Sequence, residues 1–184
     1  MARRRPSAPC SKPWQRATEV NVAVVEMSEA PWLSAEKQGL TTLILNSHER
    51  AFGRPLIASR RHGASERVQC QELFACGFPV LAHGIEADPQ LSYANASALL
   101  LWQTTWNELI GLPSKVTAPA SERSDRESAL SQALAIKAIS GYSGIRISRR
   151  EKRFMINNAR VWSISDNREQ VLGQAASFSD WWWI

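Results

Sequence analysis

His83, Glu86 and Asp88 are the first residues to invite a chemical reading, since an imidazole and two carboxylates offer lone pairs that could ligate a metal or carry a proton. Their spacing works against both uses. Steps of three and two along a turn splay the side chains, and no second histidine stands nearby. The structural reading is therefore preferred: Glu86 and Asp88 hydrogen-bond backbone amides and brace the turn, with Pro89 fixing its course. Nucleophilic catalysis has no better footing. No serine occupies a Gly-x-Ser-x-Gly elbow, and His48, His62 and His83 fall in different elements. Gly141, Gly144 and Gly173 stand apart rather than in a phosphate-cradling loop. Arg60, Arg61 and His62 could meet an anion, but read first as a solvated loop. A small enzyme built on His83, Glu86 and Asp88 ranks last among the functions considered, and no catalytic or metal-binding residue is assigned.

The chain that must position these residues has 184 of them, 44% apolar, enough for one core and an accessory element. Its excess of 22 Lys and Arg over 17 Asp and Glu is confined to the start. Arg3, Arg4, Arg5, Lys12 and Arg16 all precede Glu19, and the remainder balances at 17 against 17. Net charge thus gives no ground for direct nucleic-acid binding. No apolar run is long enough to span a membrane. Cys10, Cys70 and Cys76 are an odd set without disulfide or zinc spacing, which points to a reducing compartment and a cytoplasmic protein. Residues 1–32, rich in Arg and interrupted by proline, read as a disordered lead or one resembling an organelle transit peptide.

Helical periodicity begins at Ser34, with Leu40, Leu43, Ile44, Ser47 and Ala51 on one face and Gly53 and Pro55 as the stop. A second helix runs from Ser65 as N-cap through Val68, Cys70, Leu73 and Phe74 to Gly77. These helices occupy 33–76. From residue 77 onward the pattern changes: Phe78 to His83 and Leu91 to Tyr93 form a hairpin, and Asn95 caps a short helix. Thr105 caps another. Ser124 and Glu127, at capping-box spacing, then open a longer helix carrying Leu130, Ala133 and Leu134 that Gly141 closes. The rest is β, with Ile145 and Ile147 alternating with Arg146 and Ser148, a long strand from Phe154 to Ile164, and a last one from Val171 to Phe178. Tight turns make these three strands an antiparallel meander. The fold class is α+β: a five-stranded antiparallel sheet with helices packed on one face, preceded by an N-terminal helical segment.

That order matches the PAS fold, and particular residues sharpen the match. Pro79 through Pro89, Tyr93-Ala94-Asn95, Leu112-Pro113-Ser114, Tyr142 through Ser148 and Gly173 through Ser179 resemble the signature of the MEKHLA family, a PAS-related domain. His83, Glu86, Asp88 and Asn95 belong to its hairpin signature. The resemblance covers roughly 35–181, and implies a stand-alone sensory or interaction module at 77–184. It also implies homodimerisation through the preceding helix and outer sheet face, or a signalling partner. The DNA-binding parts that accompany the domain in plant relatives have no counterpart here, for neither heptads nor a basic recognition helix occurs.

The cofactor stays unassigned. No cysteine follows Cys76 and no histidine follows His83, which disfavours a covalent flavin adduct and a His-ligated haem of the usual PAS kind. Non-covalent binding of a small apolar ligand stays open. Gln174 shares strand parity with Leu172, Ala176 and Phe178, so an inward face would bury its amide, to be met by a ligand or by a neighbouring helix. With Tyr93, Trp106, Tyr142 and Trp162 it makes a candidate lining, although each aromatic taken alone reads as core. The rival is a purely structural dimerisation domain with a filled core. Trp181-Trp182-Trp183 cannot all face one way on a strand, so at least one should project and seek a cover, from the helix at 34–52 or from a second copy.

Overall fold

The computed structural model describes residues 30–184. The expectation for the lead lies outside these residues except at its end. There Pro31–Leu33 forms a 3-10 turn, and Trp32 stacks flat on Phe74 with ring centroids 3.6 Å apart. Helix α1 (Ala35–Phe52) starts as expected, with Ser34 Oγ accepting from the Lys37 amide. It buries Thr41, Ile44, Leu45, Ser47 and His48; Ala51 is exposed, since the last turn meets the sheet through Phe52, edge-on to Trp162 at 6.1 Å. Helix α2 (Glu66–Ala75) is capped by Ser65 and ends in the extended residue Cys76 rather than at Gly77. The Arg60 loop is a 3-10 turn pinned to both helices. Glu72 accepts the amides of Ala58 and Ser59 at 2.9 and 2.8 Å, and Arg60 donates to Asn46 Oδ1 and Glu49 Oε2 at 2.6 and 2.9 Å.

After α2 come β1 (Val80–His83), β2 (Leu91–Ala94), α3 (Ala96–Leu101), α4 (Trp106–Leu109), α5 (Arg123–Ala135), β3 (Ala138–Ile147), β4 (Arg153–Ser165), β5 (Val171–Ser177) and β6 (Asp180–Trp183). The sheet order is β2-β1-β5-β4-β3, antiparallel throughout. Pairing of β1 with β5 joins the early hairpin to the late meander in one layer, as the order of elements requires. The sixth strand, β6, extends the layer along β4, with Phe154 opposite Trp183 and Asn157 opposite Asp180.

Paired residues point to the same side, so register assigns the two faces. Val80, Ala82, Tyr93, Trp162, Ile164 and Ala175 face α1 and α2. Leu81, Leu91, Phe154, Ile156 and Phe178 face α3 and α4, while α5 lies over β3 and β4. Burying each such large aliphatic or aromatic side chain stabilises the fold by roughly 1.5–3 kcal/mol. One irregularity decides what the second face carries. Asn158, at φ +52°, is an extra residue in β4, so Phe154 and Ile156 face inward before it and Ala159 and Val161 after it.

Three expectations are corrected in the C-terminal half. Helix α5 begins after Glu122 without a side-chain cap, so Ser124 and Glu127 form no capping box. Gly141 does not close that helix, which stops at Ala135; it lies within β3, where the register against β4 shifts. The alternation in β3 is inverted: Arg146 and Ser148 are buried, whereas Ile145 and Ile147 are half-buried. Opposition of Tyr142 to Ala159 and of Arg146 to Phe154 turns the polar set inward.

Candidate functional site

The hairpin that opens the domain is anchored by one side chain. Asn95 is fully buried, and its Oδ1 accepts the amides of Val80 and Ala98 at 2.9 and 3.0 Å. Its Nδ2 donates to the Phe78 carbonyl at 2.8 Å and reaches Leu73 O and Cys76 Sγ. One amide thus caps α3, starts β1 and holds the end of α2.

At the far end of β1, His83 is buried while Glu86 and Asp88 are exposed on the β1–β2 loop. The three do not converge, and among the described residues no cluster of metal-ligating groups forms. Nor do the carboxylates brace the turn through backbone amides: Asp88 takes the Lys115 ammonium at 2.7 Å, and the Glu86 carboxylate folds back over Gly84. The loop is held instead by backbone bonds from Gly84 N to Gln90 O and from Ser114 N to Pro89 O.

Between this face of the sheet and α5 lies a cavity of about 60 Å³, whose mainly apolar wall includes Leu81, Leu91, Trp102, Ile156, Val161 and Phe178. Polar groups enter it at a few points. Gln174 Nε2 donates to the Leu130 carbonyl of α5 at 2.9 Å, the helix partner that its strand parity allowed. Arg146 donates through Nη2 to Tyr142 Oη at 2.8 Å and through Nη1 to Ile145 O. A Cβ on Gly144 would meet that phenol oxygen at 2.7 Å, so the bare glycine makes room for the pair. Arg126 lines the cavity from α5 and has no hydrogen bond or ion pair among the described residues. Burial, and then repulsion from Arg146, pushes its guanidinium down to about 10. No carboxylate lines the cavity.

His83 Nδ1 lies 2.8 Å from Gly84 O; a carbonyl only accepts, so Nδ1 carries the proton and Nε2 presents a lone pair. That Nε2 is buried without a partner, as is the indole Nε1 of Trp102. Burial lowers the His83 pKa, and Arg126 adds to the effect against the Gly84 bond. His83, Arg126, Leu130 and Gln174 also line an outer groove of about 450 Å³ bounded by the β1–β2 loop and α5. The cavity and the groove therefore share a polar threshold.

Of the five residues read as a lining, the fold brings Tyr142 and Gln174 to the cavity and sends the other three to the opposite face. Tyr93 and Trp106 meet edge-on at 5.7 Å beneath α2, and Trp162 donates through Nε1 to Ile44 O of α1 at 3.2 Å. Tyr93 pairs with Ala82, whose side of the sheet is the α1 side, and that register is not visible in its own spacing. Cys70 and Cys76 also belong to the α2 side. Sequence reasoning missed Arg126 and Arg146. The second sits inside the Tyr142 to Ser148 motif, and its isoleucine neighbours made the wrong face look apolar.

A family model described as the MEKHLA domain matches residues 38–183. The chain belongs to the MEKHLA domain family. In fold it is similar to a PAS domain from Colwellia psychrerythraea, with TM-score 0.56 at 11% identity, over 62% of this chain and 94% of that one. It is also similar to an RNA-binding light-oxygen-voltage receptor, with TM-score 0.54 at 14% identity, over 68% of this chain but only 34% of that one. Among curated proteins, none matches the sequence. In architecture the chain is thus PAS-like. No helix of its described residues is long and apolar enough to cross a membrane.

Proposed function

We propose that this MEKHLA domain is a non-catalytic sensory module of the cytoplasm, in which occupancy of the cavity beneath α5 shifts how that helix packs and so changes the surface a partner meets. The observation that supports it is the weak hold on α5. Of its thirteen residues only Ala133 is buried, Leu134 is 45% exposed, and the Gln174 bond to Leu130 ties it to the sheet. A helix with so little apolar anchorage sits at the low-stability end of a fold, where ligand contacts can shift populations. The separation of His83 from Glu86 and Asp88 favours binding over catalysis.

The test is hydrogen exchange across 123–135, with mass spectrometry of small molecules retained on the purified protein. Occupancy should slow exchange of α5. Ala129→Leu, which projects bulk into the cavity, should abolish retention while leaving the melting temperature within a few degrees. Unaltered exchange of α5 under every condition that loads or empties the cavity would remove the proposal.

A second reading, association between copies, rests on β6. Among the described residues β6 pairs with β4 alone, and Trp182 and Trp183 are 47% and 44% exposed beside that unpaired edge. Light scattering of the full chain against a Trp182→Ser, Trp183→Ser double variant tests it; a mass equal in both speaks against a dimer through this edge.

A further inference from the structure

The threshold between cavity and groove is chemically lopsided. Arg126 and Arg146 bring two guanidiniums to one small, largely apolar space with no carboxylate in its lining, and Trp102 adds an indole N–H that is buried without a partner. Against these donors stands one orphaned acceptor, Nε2 of His83, on a residue only 7% exposed. Two like charges brought to one partly dehydrated site are costly unless an anion joins them, and a buried lone pair costs about as much as a lost hydrogen bond. Glu86 and Glu127 lie along the outer groove but outside the cavity. A single occupant answers both deficits if it carries a negative group for the guanidiniums and a hydrogen-bond donor for the imidazole.

We infer that the cavity receives a small 2-hydroxycarboxylate, its carboxylate held by Arg126 and Arg146 and its hydroxyl donating to Nε2 of His83. Arginine suits the role because its planar fork matches a carboxylate with two parallel bonds. Size restricts the class further. A volume of about 60 Å³ corresponds to roughly four to six non-hydrogen atoms, at about 10–15 Å³ for each water-sized occupant. A carboxylate of three carbons fills it, its methyl group against the aliphatic wall. Larger acids would have to protrude past Gln174 into the groove. This inference rests on the switch reading above and gives it a ligand chemistry.

Calorimetric titration of the full chain with lactate, propionate and 1,2-propanediol separates the contributions. Lactate should bind at least tenfold more tightly than propionate, which lacks the hydroxyl, and propanediol should not bind measurably. Arg126→Gln, on a half-exposed helix position, should weaken lactate and propionate alike by at least tenfold. His83→Leu should bring lactate down to the level of propionate without altering propionate. Should that variant fail to fold, the wild-type His83 nitrogen resonances provide the same information: lactate should shift Nε2 and propionate should not. Propanediol binding as well as lactate, or lactate indifferent to Arg126→Gln, overturns the assignment. So does a cavity that takes none of the three. A neutral compound retained in the cavity removes the carboxylate but leaves the switch standing. An α5 that responds to no occupant removes both.

Discussion

Gln174 of β5 and Leu130 of α5 are joined by one hydrogen bond of 2.9 Å, from the side-chain amide to the main-chain carbonyl. It is a polar stitch in a helix with almost no apolar anchorage, and it crosses the mouth of the cavity. Gln174→Leu keeps the bulk and removes the donor. The variant should lose about 1–2 kcal/mol of stability, and exchange of amides in 123–135 should accelerate more than that of β4. Equal acceleration in both would mean that the bond supports the whole fold rather than the helix.

Asn95 makes a stronger prediction because one side chain serves several main-chain groups at once. Removing its side chain orphans the buried Val80 and Ala98 amides and leaves the Phe78 carbonyl with only the Cys76 thiol at 3.4 Å. Asn95→Ala should cost at least about 3 kcal/mol in urea unfolding. Asn95→Asp should do no better, since it sets a carboxylate against the Phe78 and Leu73 carbonyls that now accept.

Two buried histidines set the response to acid. Burial lowers the pKa of His48, whose Nδ1 bonds Arg54 O, and of His83. A histidine whose folded pKa is depressed binds more protons when unfolded, so stability rises with pH up to the unfolded value of about 6.5 and is lost as pH falls below it. Urea unfolding between pH 5 and 7.5 should show this slope, at most about 1.4 kcal/mol per pH unit for each group. His48→Phe should reduce the slope; a slope unchanged in that variant would place the titration elsewhere.

Gly173 bears on the strand pair that unites the sheet. A Cβ there would collide with the backbone carbonyl of His83 on β1, an atom that cannot swing aside. Gly173→Ala should therefore destabilise by about 2 kcal/mol or more, and thermal melting should report it. The same collision would displace His83, so binding at the cavity should weaken beyond what the stability loss explains.

The architecture was legible in the sequence to the extent that local chemistry governed it. Caps at Ser65, Asn95 and Thr105 stand where the residue types place them, and the hairpin and meander follow from turn residues and alternation. Faces were less legible. An inserted residue such as Asn158 reverses parity along a strand, and although asparagine tolerates the left-handed backbone that the insertion needs, its type alone does not locate the reversal. Gln174 was placed at the cavity by its parity with Ala176 and Phe178, while Tyr142, Tyr93, Trp106 and Trp162 were assigned to a lining on aromatic character, which serves either side equally and held for Tyr142 alone. Arg146 was hidden for the converse reason, since a buried cation flanked by isoleucines imitates a solvated edge.

The strand that touches α5 through Gln174 continues, after a short break at Phe178 and Ser179, into the tryptophan edge, and both segments lie against the same strand, β4. The contact with α5 and the exposed indoles therefore occupy one ribbon of backbone. Under the proposed switch, a displacement of the glutamine would reach the indoles along the peptide bonds that connect them, without a relay through the interior.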